Sequence, residues 1–341
     1  MQKVVIHSPG GYDKLCLEEH PAPEMKKDSV RVKVAFAGIN YADITVRWGI
    51  YESAKKFIGW PITPGFEFSG VVMESDNDQF KSGDEVFGIT LFGGYCSEII
   101  IPAHQLYKKP TSLTFSEAAA FPAVFMTAYH ALFQNIVVRA GMKVMIHSAA
   151  GGVGSSLVQL CKQAKLEVTG VVGRSDKVAI VKELGADHVI DKQTQELWSQ
   201  AHKICPEGFD IILDANGVET LGDSYKNLRP TGKLVCYGFH TMLPKQGGRI
   251  NWLKLAVNFL RTPRFSPLKM TTDNKSVVTF NLSFLFDRMD LLGEAMESML
   301  PMLERQEIKV AKVTEYEAKN VGQAHADLES GKTVGKLVLK F

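Results

Sequence analysis

The run Ala149-Ala150-Gly151-Gly152-Val153-Gly154 joins an apolar stretch, "VMIH", to a segment whose apolar residues recur with helical spacing. Small residues in such a turn serve an anion. Gly151 lets the backbone approach a pyrophosphate, Gly154 lets the helix pack close to the strand, and the first helical amides face the charge. The pattern is the dinucleotide fingerprint with Ala149 where the first glycine often stands, so Ala150, Gly151, Gly152, Val153 and Gly154 are the expected contacts. A site for NAD places an acid about twenty residues further on, to accept the ribose hydroxyls. Here that stretch reads Gly173-Arg174-Ser175-Asp176-Lys177. A small residue followed by cations leaves room for a 2′-phosphate and offers it charge-assisted hydrogen bonds. Gly173, Arg174, Ser175 and Lys177 are therefore expected to clamp NADPH (NADP). Two other readings stay open: Arg174 and Lys177 as solvated charges at a helix start, and Asp176 as an acidic partner of NAD.

These residues need strands and helices to hold them. From Lys143 onward, "KVMIH", "EVTGVV", "HVID", "DIILDA" and "KLVCYG" read as strands, alternating with helical stretches such as "VGSSLVQLCKQA" and "KVAIVKELGA". Alternation of this kind predicts an α/β fold with a parallel, doubly wound sheet. Val153, Leu157, Leu160, Cys161 and Ala164 share one helical face, which should pack on that sheet. Residues 1–120 differ in texture. The period-two run "VRVKVAFAGI", then "PITPGFEFSGVVM" and "GDEVFGI", with glycine and proline as punctuation, predict a compact, mostly β unit. "TFSEAAAFPAVFMTAYHALF" turns helical, with Ser116 expected to cap a helix beginning near Glu117 and Pro122 expected to break or restart it. Residues 241–275 contain seven Lys/Arg and one acidic residue, Asp273, around a helical "INWLKLAVNFL". A strand, "VVTFNLSFLF", a helix at "LLGEAMESMLPMLERQ" and a closing strand, "GKLVLKF", complete the expected order.

The totals narrow the function classes. At 341 residues the chain suits two domains, and 45% hydrophobic with 22% charged residues is a globular composition. A net charge of +2 gives no overall pull toward nucleic acid or anionic membrane. "MQKVVIHSPGG" lacks the apolar core of a secretory signal, and no apolar run approaches a membrane span. The five cysteines are widely spaced and form no C-x-x-C pair, so neither a zinc knuckle nor a disulfide framework is expected. Reduced thiols in a cytoplasmic protein are the expectation.

Taken together, "AGINYADITVRWGIY", "TPGFEFSGVV", "AAAFPAVFMTAYHAL", "SAAGGVGSSLVQL", "KELGADHVID" and "GKTVGKLVLKF" resemble the medium-chain dehydrogenase/reductase superfamily in its quinone-oxidoreductase branch. "FNLSFL" and the basic segment before it look most like the synaptic-vesicle amine-transport subgroup. The resemblance implies a GroES-like β-barrel catalytic domain from residues 1–123 and 264–341, and an NADP-binding Rossmann domain from residues 124–263. It also implies a homodimer. Zinc enzymes of the superfamily carry a Cys in the segment matching "GINYAD" and Gly-His-Glu where this chain has Gly65-Phe66-Glu67. With those ligands gone no metal is expected, and Glu67 is left with a structural role or none.

The resembling reductases hold the acceptor carbonyl with an Asn and a Tyr, which match Asn40 and Tyr51. Asn40 can donate through its amide; Tyr51 can donate and also stack on a flat acceptor. The same resemblance places Thr127, Asn216, Val218, Phe239, Phe280, Asn281 and Leu282 about the nicotinamide and its ribose, and Lys336 in a loop that touches phosphate. His147 is expected to make an ordinary strand-end hydrogen bond. The expectation is thus an NADPH-dependent, zinc-free oxidoreductase that passes hydride to a small-molecule quinone or α,β-unsaturated carbonyl. The alternative is a low-turnover NADPH-binding protein, membrane-peripheral through residues 241–275 or regulatory.

Overall fold

A short antiparallel pair, β1 (Gln2–Val5) and β2 (Cys16–Glu19), opens the chain. The alternating run "SVRVKVAFAGI" then forms β3 (Ser29–Ile39), whose inward valines are fully buried. Helices α1 (Tyr41–Arg47) and α2 (Glu52–Phe57) follow, and then β4 (Glu67–Ser75), β5 (Glu85–Ile89), β6 (Glu98–Pro102) and β7 (Leu106–Lys108). The computed structural model describes residues 1–242 and 251–341. These divide into two units, one of residues 1–124 and 283–341, the other of residues 125–242 and 251–282.

At the end of the first pass, α3 (Phe115–Ala119) is capped by Thr114 rather than by the expected Ser116. Thr114 Oγ1 accepts from Glu117 N at 3.2 Å while Glu117 Oε2 accepts from Thr114 N at 2.9 Å. This reciprocal box needs a Glu three residues after the cap, a spacing that Thr114 has and Ser116 lacks. Pro122 restarts the chain as the first residue of α4 (Pro122–Tyr129), where its missing N–H leaves no bond unmade.

The second unit holds β8 (Lys143–Ile146), α5 (Gly152–Gln163), β9 (Glu167–Val172), α6 (Val178–Glu183) and β10 (His188–Asp191). It continues through α7 (Leu197–Ile204), β11 (Phe209–Asp214), α8 (Leu221–Lys226), β12 (Leu228–Cys236), α9 (Trp252–Arg261), α10 (Pro267–Asp273) and β13 (Ser276–Thr279). The strands lie in the order β10-β9-β8-β11-β12-β13 and every neighbouring pair is parallel. This is the doubly wound sheet. Its order reverses at β8 and β11, so the carboxyl ends of those strands form the ligand-binding crevice of the fold. Met145, Val171, Ile190, Ile212 and Leu234 fill the sheet's core. Leu157, Leu160 and Cys161 of α5 are fully buried on the expected face.

The expected strand "VVTFNLSFLF" is shorter than its apolar run. Only Ser276–Thr279 is extended, and Leu282–Leu285 is a 3₁₀ turn. Because β13 pairs with Lys233–Cys236 of β12, the stretch from 264 to 282 stays with the parallel sheet. The return to the first unit falls at Ser283 rather than at the expected 264.

The first unit is completed by α11 (Met289–Glu304), β14 (Val313–Glu317), α12 (Val321–Glu329) and β15 (Lys336–Lys340). Its sheet runs β14-β15-β3-β4-β5-β7, with β6 also on β3. One edge of β3 is shared. Ser29–Lys33 pairs with β6, and Phe36–Ile39 pairs with β15. On the other edge Ala37 lies opposite Phe68 of β4. These registers bring the chain's last strand, and Glu67, to the end of β3 where Asn40 begins α1.

Candidate active site

The glycine turn leaves β8 through His147, whose N–H bonds Leu213 O, and Ser148, which takes a left-handed φ of 54°. Gly151 caps α5 with no side-chain partner for the first helical amides. A Cβ at Gly154 would overlap the Ser148 carbonyl and lie 2.8 Å from Ala149 Cα, so only glycine lets the helix sit on its own turn. That is the close approach the sequence implied.

Beside it, at the carboxyl end of β11, Asp214 organises a second turn. Its Oδ1 accepts from the N–H groups of Asn216 (2.8 Å) and Gly217 (3.2 Å). Its Oδ2 accepts from Thr220 Oγ1 (2.7 Å) and Ser224 Oγ (2.9 Å). His147 Nε2 meets Ser224 Oγ at 3.0 Å; burial lowers the imidazole pKa against the pull of Asp214, which keeps the ring neutral and structural. Ser148 Oγ donates to Asn216 Oδ1 at 3.0 Å and so ties the two turns together. Asn216 is buried, and its Nδ2 has no partner among the described residues. An orphaned amide donor costs about 1–3 kcal/mol, and a ligand acceptor would satisfy it. The two turns therefore fit a dinucleotide.

The expected phosphate clamp follows β9. Gly173 is exposed with open space where a side chain would stand. Arg174 holds Asp176 through Nε–Oδ1 (2.9 Å) and Nη2–Oδ2 (3.0 Å). Ser175 Oγ donates to Asp191 Oδ2 at 2.5 Å. Lys177, expected in the clamp or as a solvated charge at the helix start, is buried, and desolvation lowers its pKa.

In the first unit, Asn40 stands between opposite charges. Its Nδ2 donates to Glu67 Oε1 at 2.8 Å and its Oδ1 accepts from Lys336 Nζ at 2.5 Å. Lys336 Nζ also meets Glu67 Oε1 at 2.6 Å and Ile39 O at 2.7 Å. Glu67 Oε2 accepts from Ala123 N at 2.7 Å. Gly38 is required here, because a Cβ would overlap the Glu67 carboxylate. Lys336, expected in a phosphate-touching loop, directs its three hydrogens to oxygens of Ile39, Asn40 and Glu67 in this unit. Glu67 has a definite role, as counter-charge to Lys336 and acceptor for Asn40.

Tyr51 packs edge-on to Phe66 (centroids 6.0 Å apart) and Phe92 (6.3 Å). Its hydroxyl lies 3.1 Å from Ser283 Oγ, which donates to Ser53 Oγ at 2.9 Å. With the Ser283 hydrogen spent on Ser53, Tyr51 is the donor in its own pair. Consecutive residues, Phe66 and Glu67, therefore support the two expected acceptor groups.

The remaining expected contacts are dispersed. Thr127 lies half-buried on α4, and Val218 is half-buried in the Asp214 turn. Phe239 is exposed and meets Gly217, whose φ of 90° and close contact both demand glycine. Phe280 stacks on Tyr237 (6.5 Å) and meets His130 edge-on (4.6 Å), just before Asn281 and Leu282. A cavity of about 490 Å³ lined by Arg139, Asp210 and Arg229 lies at the opposite, amino ends of β8 and β11. Zinc does not suit the residues present: Phe66 stands before a Glu67 already held by an ammonium, and among the described residues no group of three His, Cys, Asp or Glu could hold a metal ion.

Residues 26–111 match the alcohol dehydrogenase GroES-like domain, and residues 152–265 match the family described as zinc-binding dehydrogenase. The synaptic vesicle membrane protein VAT-1 homolog of Danio rerio is 31% identical over 340 residues, covering 98% of this chain and 69% of that protein. The crystal structure of human VAT-1 homolog-like protein superposes with a TM-score of 0.83 at 28% identity, covering 100% and 98% of the two chains. Escherichia coli quinone oxidoreductase complexed with NADPH gives 0.86 at 23% identity over the whole of both chains. The chain belongs to the medium-chain dehydrogenase/reductase superfamily, among the VAT-1 homologues.

Proposed function

We propose that the protein is an NADPH-dependent, zinc-free reductase of quinones or α,β-unsaturated carbonyls. One observation carries the reading: a half-buried asparagine amide, Asn40, held by a buried ion pair with one Nδ2 hydrogen unspent among the described residues. When bound, NADPH supplies the hydride. Ala150–Gly154, Asn216 and Val218 would hold its pyrophosphate and ribose, with Gly173, Arg174 and Ser175 at the 2′-phosphate. Thr127, Phe239, Phe280, Asn281 and Leu282 would surround the nicotinamide.

The unspent Asn40 hydrogen donates to the acceptor oxygen and counters the negative charge that builds there during reduction. The Tyr51 ring flanks a flat acceptor. Its hydroxyl turns from Ser283 to the same oxygen and can pass its proton there, to be replaced from solvent. The test is loss of NADPH absorbance with 1,4-benzoquinone or 2-cyclohexenone as acceptor. We expect turnover with at least one, and a loss of about 100-fold in kcat for Asn40→Ala with NADPH affinity unchanged. Tight NADPH binding with no turnover on either acceptor would overturn the reading.

A second reading, membrane-peripheral binding, is favoured by α9. Trp252, Leu253, Phe259 and Leu260 are exposed on this helix while the polar Asn258 is buried. A helix that turns its apolar side outward among cations matches an anionic lipid surface.

A further inference from the structure

The ammonium of Lys336 has three hydrogens and three oxygens around it, from Ile39, Asn40 and Glu67. Both charged residues are buried, Glu67 completely. A buried ion pair is no gain in stability over apolar residues of the same volume, so what it does to its neighbours matters more. The neighbour is the Asn40 amide. Its oxygen faces the cation and its nitrogen faces the carboxylate. The flipped amide would set N–H against the ammonium and C=O against the carboxylate, so a single orientation is permitted. One Nδ2 hydrogen then lies on Glu67, and the direction of the other is fixed. A cation on the amide oxygen also draws electron density from the nitrogen, which makes the remaining N–H a stronger donor.

We propose that Lys336 is a positioning residue that orients and polarises Asn40, with Glu67 as its counter-charge, so that the unspent Nδ2 hydrogen is presented to the oxygen of a carbonyl acceptor. This rests on the reading that Asn40 binds that oxygen. The origin of the arrangement is the register in which Leu337 lies opposite Ile39: it places the residue before Leu337 beside the residue after Ile39.

The test is a double-mutant cycle on the full chain, with kcat and KM measured on 1,4-benzoquinone and NADPH affinity by fluorescence. Lys336→Met should lower kcat about ten- to hundred-fold. Lys336→Arg should restore part of the loss by returning a cation. NADPH affinity should not change. In an Asn40→Ala background, Lys336→Met should cause no further fall, because the group it acts through is gone. An equal fall in both backgrounds overturns the proposal and leaves Lys336 with a purely structural role. Where Lys336→Met alone fails to fold, the Glu67→Gln/Lys336→Met pair removes both charges together. It should fold and still lose kcat, and wild-type kcat in that variant would overturn the proposal. If Asn40→Ala itself leaves kcat unchanged, the acceptor role of Asn40 fails and this inference with it. A loss in Asn40→Ala that Lys336→Met simply multiplies defeats only the positioning.

Discussion

Arg174 spends its guanidinium on the carboxylate two residues away, and both partners are exposed. Such a pair is weak and readily exchanged. A 2′-phosphate offers more charge and more acceptor oxygens, so it should displace Asp176. Arg174→Ala is then expected to weaken NADPH binding about tenfold or more while leaving NADH unchanged. Asp176→Asn should strengthen NADPH binding about two- to fivefold by releasing the guanidinium. Fluorescence titration with both nucleotides checks this, and equal losses for the two would remove Arg174 from any phosphate site. At this scale, what could be read in advance depended on how local the cause was. Gly154 was legible because a helix collides with its own turn a few residues back. Lys336 was not, because its ammonium is satisfied by Ile39, 297 residues away, through a strand register that no short motif encodes.

The elements show the same division. Strands β8, β9, β11 and the 234–236 end of β12 were legible because they are mostly apolar runs, as central parallel strands buried on both faces must be. The run from Val277 was overread as one long strand, since apolar content alone does not separate an edge strand from the 3₁₀ turn that follows it. Helix α9 was legible as a helix, but its outward apolar side only as an alternative, because periodicity gives a face and not the direction it points. Residues 251–272 contain four cations, Lys254, Arg261, Arg264 and Lys269, and no acid. Each cation near an anionic surface contributes about 1 kcal/mol, screened by salt. The protein should co-sediment with phosphatidylserine-containing vesicles and not with phosphatidylcholine alone, and Trp252→Glu/Leu253→Glu should abolish this. If that variant instead changes the molecular mass in solution while neither form binds vesicles, the face belongs to a second copy of the chain.

For the molecule as a whole, stability against pH is governed in part by two groups fully buried in the first unit. Asp43 accepts from the N–H groups of Asn40 and Gly65, both at 2.8 Å. Burial nevertheless raises its pKa from 3.8 to about 6, against those bonds, the nearby charge of Lys336 and the Tyr95 hydroxyl. His325 Nε2 lies 3.3 Å from that hydroxyl. Burial, with the charge of Arg47 adding to it, lowers the imidazole pKa from 6.5 to about 3. Arg47 is itself paired with Glu329, which also accepts from Tyr12. The two shifts act in opposite senses. Asp43 is a raised acid, so its contribution is full below the unfolded pKa and is lost as pH rises through about 6. His325 is a depressed base, so its contribution is full above 6.5 and is lost as pH falls toward about 3. Between about pH 4 and pH 6 the folded chain holds one proton that the unfolded chain lacks, at Asp43, and refuses one that the unfolded chain takes, at His325. The slopes cancel there, and only His325 continues to destabilise below that window. Removing either group should unmask the other. The thermal midpoint of Asp43→Asn should fall as pH drops from 6 to 4, and that of His325→Phe should rise relative to it over the same range. Every other carboxylate is common to both variants, so the difference between their pH profiles isolates this pair. Parallel profiles for the two would show that neither group carries its protonation state across the folding transition.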